Sequence, residues 1–439
     1  LRKNNFLHDQ LIDDSSLFFL ETLDEKITTI ADLNLDIFID DLDRVILHPH
    51  FPRTTIGIAF GESRDSKIER CLHWRQCLQV CQTIAYLGKS ETFAWLAFEE
   101  KLPQSASALT RDGNNQIIEV VSQGSKKYVL KRYFTSEYDC RNRGKTEFEA
   151  LQLFSDYHIK NTPFPYSFND KKQYAFYQFL ENNQQISLAD SGESAKAISQ
   201  FVTQLKKIHH TADTKGIQSA SDARNTLADY FNKIESRLRL IEQGCSTNPA
   251  LSEIARFIDN DYKAFKGKVF KKVRLEITEL GLSTTQIFSE KSKTLSPSDL
   301  GPHNMLKSNN GEFSFIDFEY FGVDDASKMI ADLFHHAQRN LDDAAKWSIY
   351  RHYVNYIDCD KEFIQRFDLI IDLIGIEWIL IVLNIAAGDT ISRRLFANKH
   401  LDVEQLISSR LTLAKQMLSS YLYIAEKKGK YLTINTATG

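Results

Sequence analysis

The sequence predicts an α+β chain, and three observations predict it. Two alternating apolar runs between residues 109 and 134 read as strands, stripes of apolar residues at helical spacing dominate from Ser191 onward, and an early apolar run, LDIFID, ends in adjacent carboxylates. Composition agrees with an ordered globular protein, since 42% of the 439 residues are hydrophobic and 26% charged. With 54 Lys+Arg against 58 Asp+Glu the formal charge is −4, which argues against a nucleic-acid partner held by bulk charge. At roughly 150 residues per domain the length allows about three units.

The chain opens on LRKNNFLHDQ with Leu1 in place of Met and no apolar signal core, so a start part-way into a longer chain is expected. Cys71, Cys77, Cys81, Cys140, Cys245 and Cys359 are sparse and irregular, which suits a reducing, cytoplasmic setting and packed or surface thiols better than a disulfide framework or a zinc site. In the first segment Asp40 and Asp41 end a buried strand and HPHFP breaks the chain. Residues 67–101 carry helical spacing with Gly88 as the one breaker, so one or two connecting helices are expected there.

Beyond Pro103 the pattern changes. The turn Asp112-Gly113-Asn114-Asn115 precedes two strand-like runs joined by SQGSKK, a β-hairpin in its simplest reading. Phe148, Leu151 and Phe154 mark a helix stripe, TPFPYSF reads as a loop, and YAFYQFLEN as a strand. Residues 191–210 open on an expected capping box and carry Ile198, Phe201, Val202, Leu205 and Ile208 on one face. The most apolar window, 369–388, is interrupted by Asp372, Glu377 and Asn384, which points to a buried helix and not to a membrane span.

A loop–strand–loop island at 295–325 carries the strongest chemical signal. Asp299 and Asn304 are five apart around Gly301 and Pro302, and the run GEFSFI then delivers Asp317 thirteen residues after Asn304. Phosphoryl transfer needs such a set, one carboxylate to orient or deprotonate the attacking hydroxyl and further oxygen ligands to hold Mg²⁺ against the phosphates. It also needs a cation on the phosphates. Lys131 lies mid-strand in an apolar context where an unpaired ammonium is costly, and Glu147 on the following helix is the expected partner, with Glu149 the alternative. Backbone N–H groups of the turn at Gly113, Asn114 and Asn115 are candidates to cover the phosphates.

From about Pro103 to the C-terminus the chain resembles the aminoglycoside phosphotransferase and choline kinase family, which shares the two-lobed protein-kinase-like fold. That family's catalytic loop usually reads H-G-D-x4-N, followed by a D-x-(G/E) metal loop. Here the text is Pro297-Ser298-Asp299 through Asn304, then Asp317-Phe318-Glu319, Gly322 to Asp325, and Asp332. His and Gly before the Asp are thus replaced by Pro297 and Ser298. The resemblance implies transfer of the γ-phosphate of ATP or GTP to a hydroxyl of a small molecule such as a sugar or amino alcohol. It makes Asp299 the base, Asn304 and Asp317 the Mg²⁺ ligands, Lys131 and Glu147 the phosphate-anchoring ion pair, and Tyr177, Gln178, Phe179 and Leu180 the hinge beside the nucleotide base. His303 is a candidate phosphate or acceptor contact. Residues 1–65 resemble the end of a haloacid dehalogenase-like domain lacking its nucleophile, hence without activity of their own.

The expected organisation is that remnant over 1–65, a helical connector over 66–102, a kinase-like N-lobe over 103–182 and a C-lobe over 183–439. A second reading makes the domain a catalytically weak nucleotide- or metabolite-binding module, and a third, protein phosphorylation, is disfavoured by the short loop after Asp317. Trp347, Trp378, Glu377, Asp372, Arg393 and Arg394 are candidate acceptor-lining residues, while the pairs His209-His210 and His335-His336 read as helix-end or core histidines.

Overall fold

The computed structural model describes residues 16–63, 68–109, 113–137, 139–181, 183–211, 216–338, 341–356 and 361–431. The chain's first residues, Asp112 of the expected turn and Cys359 lie outside the described residues. The chain divides into two compact units, one taking the described residues up to Ser107 with Glu119–Tyr128, the other Ala108–Ile118 and those from Val129 onward.

The first unit begins with α1 (Leu23–Asp32), started by a capping box in which Thr22 accepts from Glu25 N and the Glu25 carboxylate accepts from Thr22 N. Then come β1 (Ile37–Asp40), α2 (Asp43–Ile46), β2 (Ile56–Phe60) and β3 (Arg70–Cys71), three strands pairing in parallel in that order. The two expected helices follow as α3 (Trp74–Leu87) and α4 (Lys89–Glu99), separated at Gly88, whose φ is +85°. Ile56, Ile58, Cys71, Cys77, Val80 and Ile84 form the core under this sheet. Asp40 ends β1 as expected, but its carboxylate is already engaged by Lys26 and by Leu42 N. Cys71 and Cys77 are buried thiols, and the described cysteines are all free.

The chain runs on through β4 (Pro103–Ala108), β5 (Gln116–Ser122) and β6 (Lys127–Arg132). The last two are the expected hairpin, closed by Ser122 N on Lys126 O with Ser125 at φ +64°. After α5 (Arg143–Asp156) come β7 (Pro165–Asn169) and β8 (Tyr174–Gln178), giving a five-stranded sheet in the order β4-β5-β6-β8-β7. The stretch expected as a loop, TPFPYSF, is therefore mostly strand. Pro165 is the first residue of β7, where its missing N–H costs little, and a register shift follows at once between Pro165 and Ser167.

After β9 (Asn183–Gln185) the second unit becomes helical, with α6 (Ser191–Thr211), α7 (Leu227–Thr247), α8 (Ser252–Phe257) and α9 (Lys263–Glu279). All five apolar positions expected on one face of α6 are buried. The capping box expected at Ser191 is instead formed by Ser187 and Asp190, one short turn earlier, and the Ser191 hydroxyl accepts from Asp342 N. Four short strands interrupt the helices: β10 (Lys293–Ser296), β11 (Met305–Ser308), β12 (Phe313–Phe315) and β13 (Gly322–Asp325). β10 pairs with β13, and β11 lies between β12 and β9. The chain closes with α10 (Ala326–His335), α11 (Asp343–Tyr356), α12 (Lys361–Val382), α13 (Thr390–Ala397) and α14 (Val403–Tyr431). Around α12 lies the main core, which it joins through Ile370, Leu373, Ile374, Ile379 and Leu380. One helix among the described residues, Glu362–Ala386, is long and apolar enough to cross a membrane, and 89% of its most apolar window is buried inside the protein.

Candidate active site

Lys131 lies on β6 with 5% of its surface exposed, and its position is set by two carboxylates. Its Nζ is 2.6 Å from Glu147 Oε2, on α5, and 2.6 Å from Asp317 Oδ1, just past β12. Glu147 rather than Glu149 is the partner; Glu149 lies beside Lys145 at 3.7 Å. Burial works against the Lys131 ammonium, but Asp317 and Glu147 outweigh it and hold the group well above the usual lysine range. Tyr133 OH donates to Glu147 Oε2 at 2.7 Å and shares a 2.7 Å hydrogen bond with Tyr177 OH, so each polar atom of this buried group has a partner.

The second half of the site is the loop between β10 and β11. Asn304 Nδ2 donates to Asp299 O at 3.0 Å, and Ile316 N donates to Asn304 O at 2.9 Å. With Met305 opposite Phe315 in the ladder, Asn304 and Asp317 end up at the same end of one hairpin. Asp317 adopts φ +69° and Ser298 φ +62°, left-handed conformations that non-glycine residues rarely hold without a compensating structure. Two imidazoles meet the Asp299 carboxylate: His303 Nε2 lies 3.3 Å from Oδ2 and His336 Nε2 3.2 Å from Oδ1. Burial alone would raise Asp299, but His303 and His336 hold it well below the usual carboxylate range. His303, which burial would lower, is raised by Asp299 and Asp317.

Asn304 and Asp317 fit a hard divalent cation such as Mg²⁺. The Asn304 amide spends its N–H on Asp299 O, which leaves Oδ1 as an acceptor, and Asp317 spends Oδ1 on Lys131, which leaves Oδ2. The turn at Gly113 is tied down from two sides. Asn115 Nδ2 donates to Glu319 Oε2 at 2.8 Å while its Oδ1 accepts from Phe134 N, and Gly113 O accepts from Arg394. Asn114 beside them is partly exposed.

The other expected site residues differ in their surroundings. Tyr177 carries a buried side chain committed to Tyr133, while Gln178 is exposed and pairs with the backbone of Phe164, and Phe179 and Leu180 are partly exposed. Glu377 and Asp372 do not line an open site. Glu377 is buried against Arg224 and Arg237, and Asp372 against Lys272, because carboxylates on the most apolar helix need cations to be buried at all. Arg393 is held by Asp139 and Asp389. His336, read as a helix-end or core histidine, does cap the C-terminus of α10, and from there its ring also reaches Asp299; nothing in the spacing of a residue 37 positions away marks that contact. Glu319 was legible only as the end of the D-x-E block, and its link to Asn115 was not.

No family model and no curated protein matches the sequence. Among solved structures, a choline kinase from Streptococcus pneumoniae is 18% identical and aligns over 74% of this chain and 97% of its own, with a TM-score of 0.49. A spectinomycin phosphotransferase is 14% identical over 75% of this chain and 98% of its own, also with a TM-score of 0.49. An ethanolamine kinase from Plasmodium vivax is 17% identical over 72% of this chain and 84% of its own, with a TM-score of 0.47.

Proposed function

We propose that this chain is a phosphotransferase with a two-lobed, kinase-like domain, moving the γ-phosphate of ATP or GTP to a hydroxyl of a small molecule such as a sugar or amino alcohol. One observation carries the reading: Lys131 is clasped by Glu147 and Asp317, with Asp317 at the same hairpin end as Asn304 and Asp299 on the adjoining loop. In this reading Lys131 binds the nucleotide phosphates and Asp299 takes the acceptor's proton as its oxygen bonds to the γ-phosphorus. The bond to the bridging oxygen breaks and the nucleoside diphosphate leaves. A Mg²⁺ held by Asn304 and Asp317 would supply charge neutralisation on the phosphates. In the same reading Gly113, Asn114 and Asn115 cover the phosphates, residues 177–180 flank the base, and His303 contacts the phosphate or the acceptor. We further propose boundaries near residues 65, 102 and 182, with the first segment the remnant of a dehalogenase-like domain; parallel β1 and β2 with Asp40 at a strand end support it.

The deciding experiment is a thermal shift with ATP, GTP and their non-hydrolysable analogues, with and without Mg²⁺, on wild type and Asp317→Ala. A Mg²⁺-dependent rise in Tm that vanishes in the variant is the expected result. No shift with any nucleotide overturns the reading.

A further inference from the structure

Two imidazoles on one carboxylate invite a metal reading, since one ligand atom each from Asp299, His303 and His336 lie within 4.8 Å of one another. The far side of His336 argues otherwise. Its Nδ1 accepts from Gln338 N at 3.1 Å. A ring nitrogen that accepts an N–H carries no proton, so in the neutral ring the proton sits on Nε2, which is then a donor and not a metal ligand. That Nε2 lies 3.2 Å from Asp299 Oδ1.

The ring itself is gripped. Its centroid lies 4.5 Å from that of the Trp378 ring, tilted against it, and 4.8 Å from that of His303, on which it stacks. Trp378 is in turn fixed by donating Nε1–H to Asp332 at 2.9 Å. Gly301 makes the arrangement sterically possible, because a Cβ there would sit 2.3 Å from His336 Nε2 and 2.5 Å from His303 Nδ1. The two imidazoles also differ: the His336 side chain is 7% exposed and that of His303 28%. His303 can yield to a substrate at lower cost, whereas His336 is locked.

Building on the phosphotransferase reading, we propose that His336 is a positioning residue for Asp299: its Nε2–H, fixed by Gln338 and braced by Trp378 and Asp332, anchors Oδ1 so that Oδ2 faces the acceptor hydroxyl. The donor is what matters, not the bulk of the ring. A glutamine can place an N–H near the same point, and a phenylalanine fills the space without one.

The test combines two measurements on wild type, His336→Gln and His336→Phe. The first is phosphate release from Mg-ATP with water as acceptor, together with the Tm shift given by Mg-ATP. His336→Phe is expected to lose about 10- to 100-fold in kcat, as misplacement of a reacting group does, with KM and the Tm shift near wild type; His336→Gln should recover most of the loss. Equal kcat in His336→Phe, or a loss in both variants that tracks a raised KM, overturns the proposal. The second is the ¹⁵N spectrum of the His336 imidazole at neutral pH, assigned by its disappearance in the variants. Proton on Nε2 and bare Nδ1 is expected; a proton on Nδ1, or a shift of Nε2 on adding Zn²⁺, overturns it. If wild type neither binds nor hydrolyses Mg-ATP, the phosphotransferase reading fails, and the spectrum still decides the hydrogen bond to Asp299.

Discussion

Lys131 and Asp317 stand 186 residues apart in sequence and 2.6 Å apart in the fold, and the same ammonium is 2.6 Å from Glu147. The cation is therefore shared between a carboxylate that is buried and one whose side chain is 36% exposed. Removing it strands the buried one. Lys131→Met is expected to destabilise the protein by about 3–5 kcal/mol in urea unfolding, because Glu147 is left buried without a cation. In Lys131→Met/Glu147→Gln most of that loss should return, while Mg-ATP binding stays absent. A single variant as stable as wild type would show that Glu147 does not depend on the pair.

Asp299→Asn removes the proposed base and keeps an oxygen that can accept from His336. Turnover should fall by about 10²- to 10⁴-fold, as loss of general-base assistance does, with the Mg-ATP thermal shift preserved. Single-turnover phosphate transfer is the measurement, and equal turnover sinks the assignment.

Ser298 occupies φ +62° immediately before Asp299, a conformation that costs an L-residue roughly 1–2 kcal/mol. Glycine escapes that cost but loses more chain entropy on folding, by about 0.5–1 kcal/mol. Ser298→Gly is thus expected to be neutral or stabilising by up to about 1.5 kcal/mol in a denaturant melt. Clear destabilisation would mean that the Ser298 side chain does more than tolerate the turn.

His209, near the end of α6, is lowered to about 4 by burial, with Lys206, His210 and Lys293 acting in the same direction and Glu290 against them. Between its ordinary value near 6.5 and about 4, the unfolded chain binds a proton there that the folded chain refuses. Stability should therefore fall as pH drops through that window. His209→Gln should flatten the decline in Tm between pH 6.5 and pH 4; an unchanged slope would assign it to other groups.

Local chemistry made much of this legible in the sequence. The hairpin, the stripe on α6, the Lys131–Glu147 pair and the buried helix α12 all follow from periodicity or from the cost of burying charge. The loop of Asp299 and Asn304 and the strand leading to Asp317 were legible as spacing. Strand β7 was hidden by its one proline, Pro165, because a proline at a strand's first position looks the same in sequence as one in a loop. The acidic residues of α12 misled in another way. Whether Glu377 faces a ligand or Arg224 is decided by the position of a residue 153 places earlier, and no local pattern encodes that. His336 escaped for the same reason.

The bond from Asn115 to Glu319 spans 204 residues. Closing so long a loop adds entropy cost only slowly with length, but the cost must be met before the contact can repay it. In the phosphotransferase reading the turn at Gly113 and the loop of Asp317 both hold the nucleotide, which is then a ligand of the finished fold alone. Its stabilisation by mass action then falls chiefly on the unfolding rate. Bound nucleotide would make the protein longer-lived without making it fold faster.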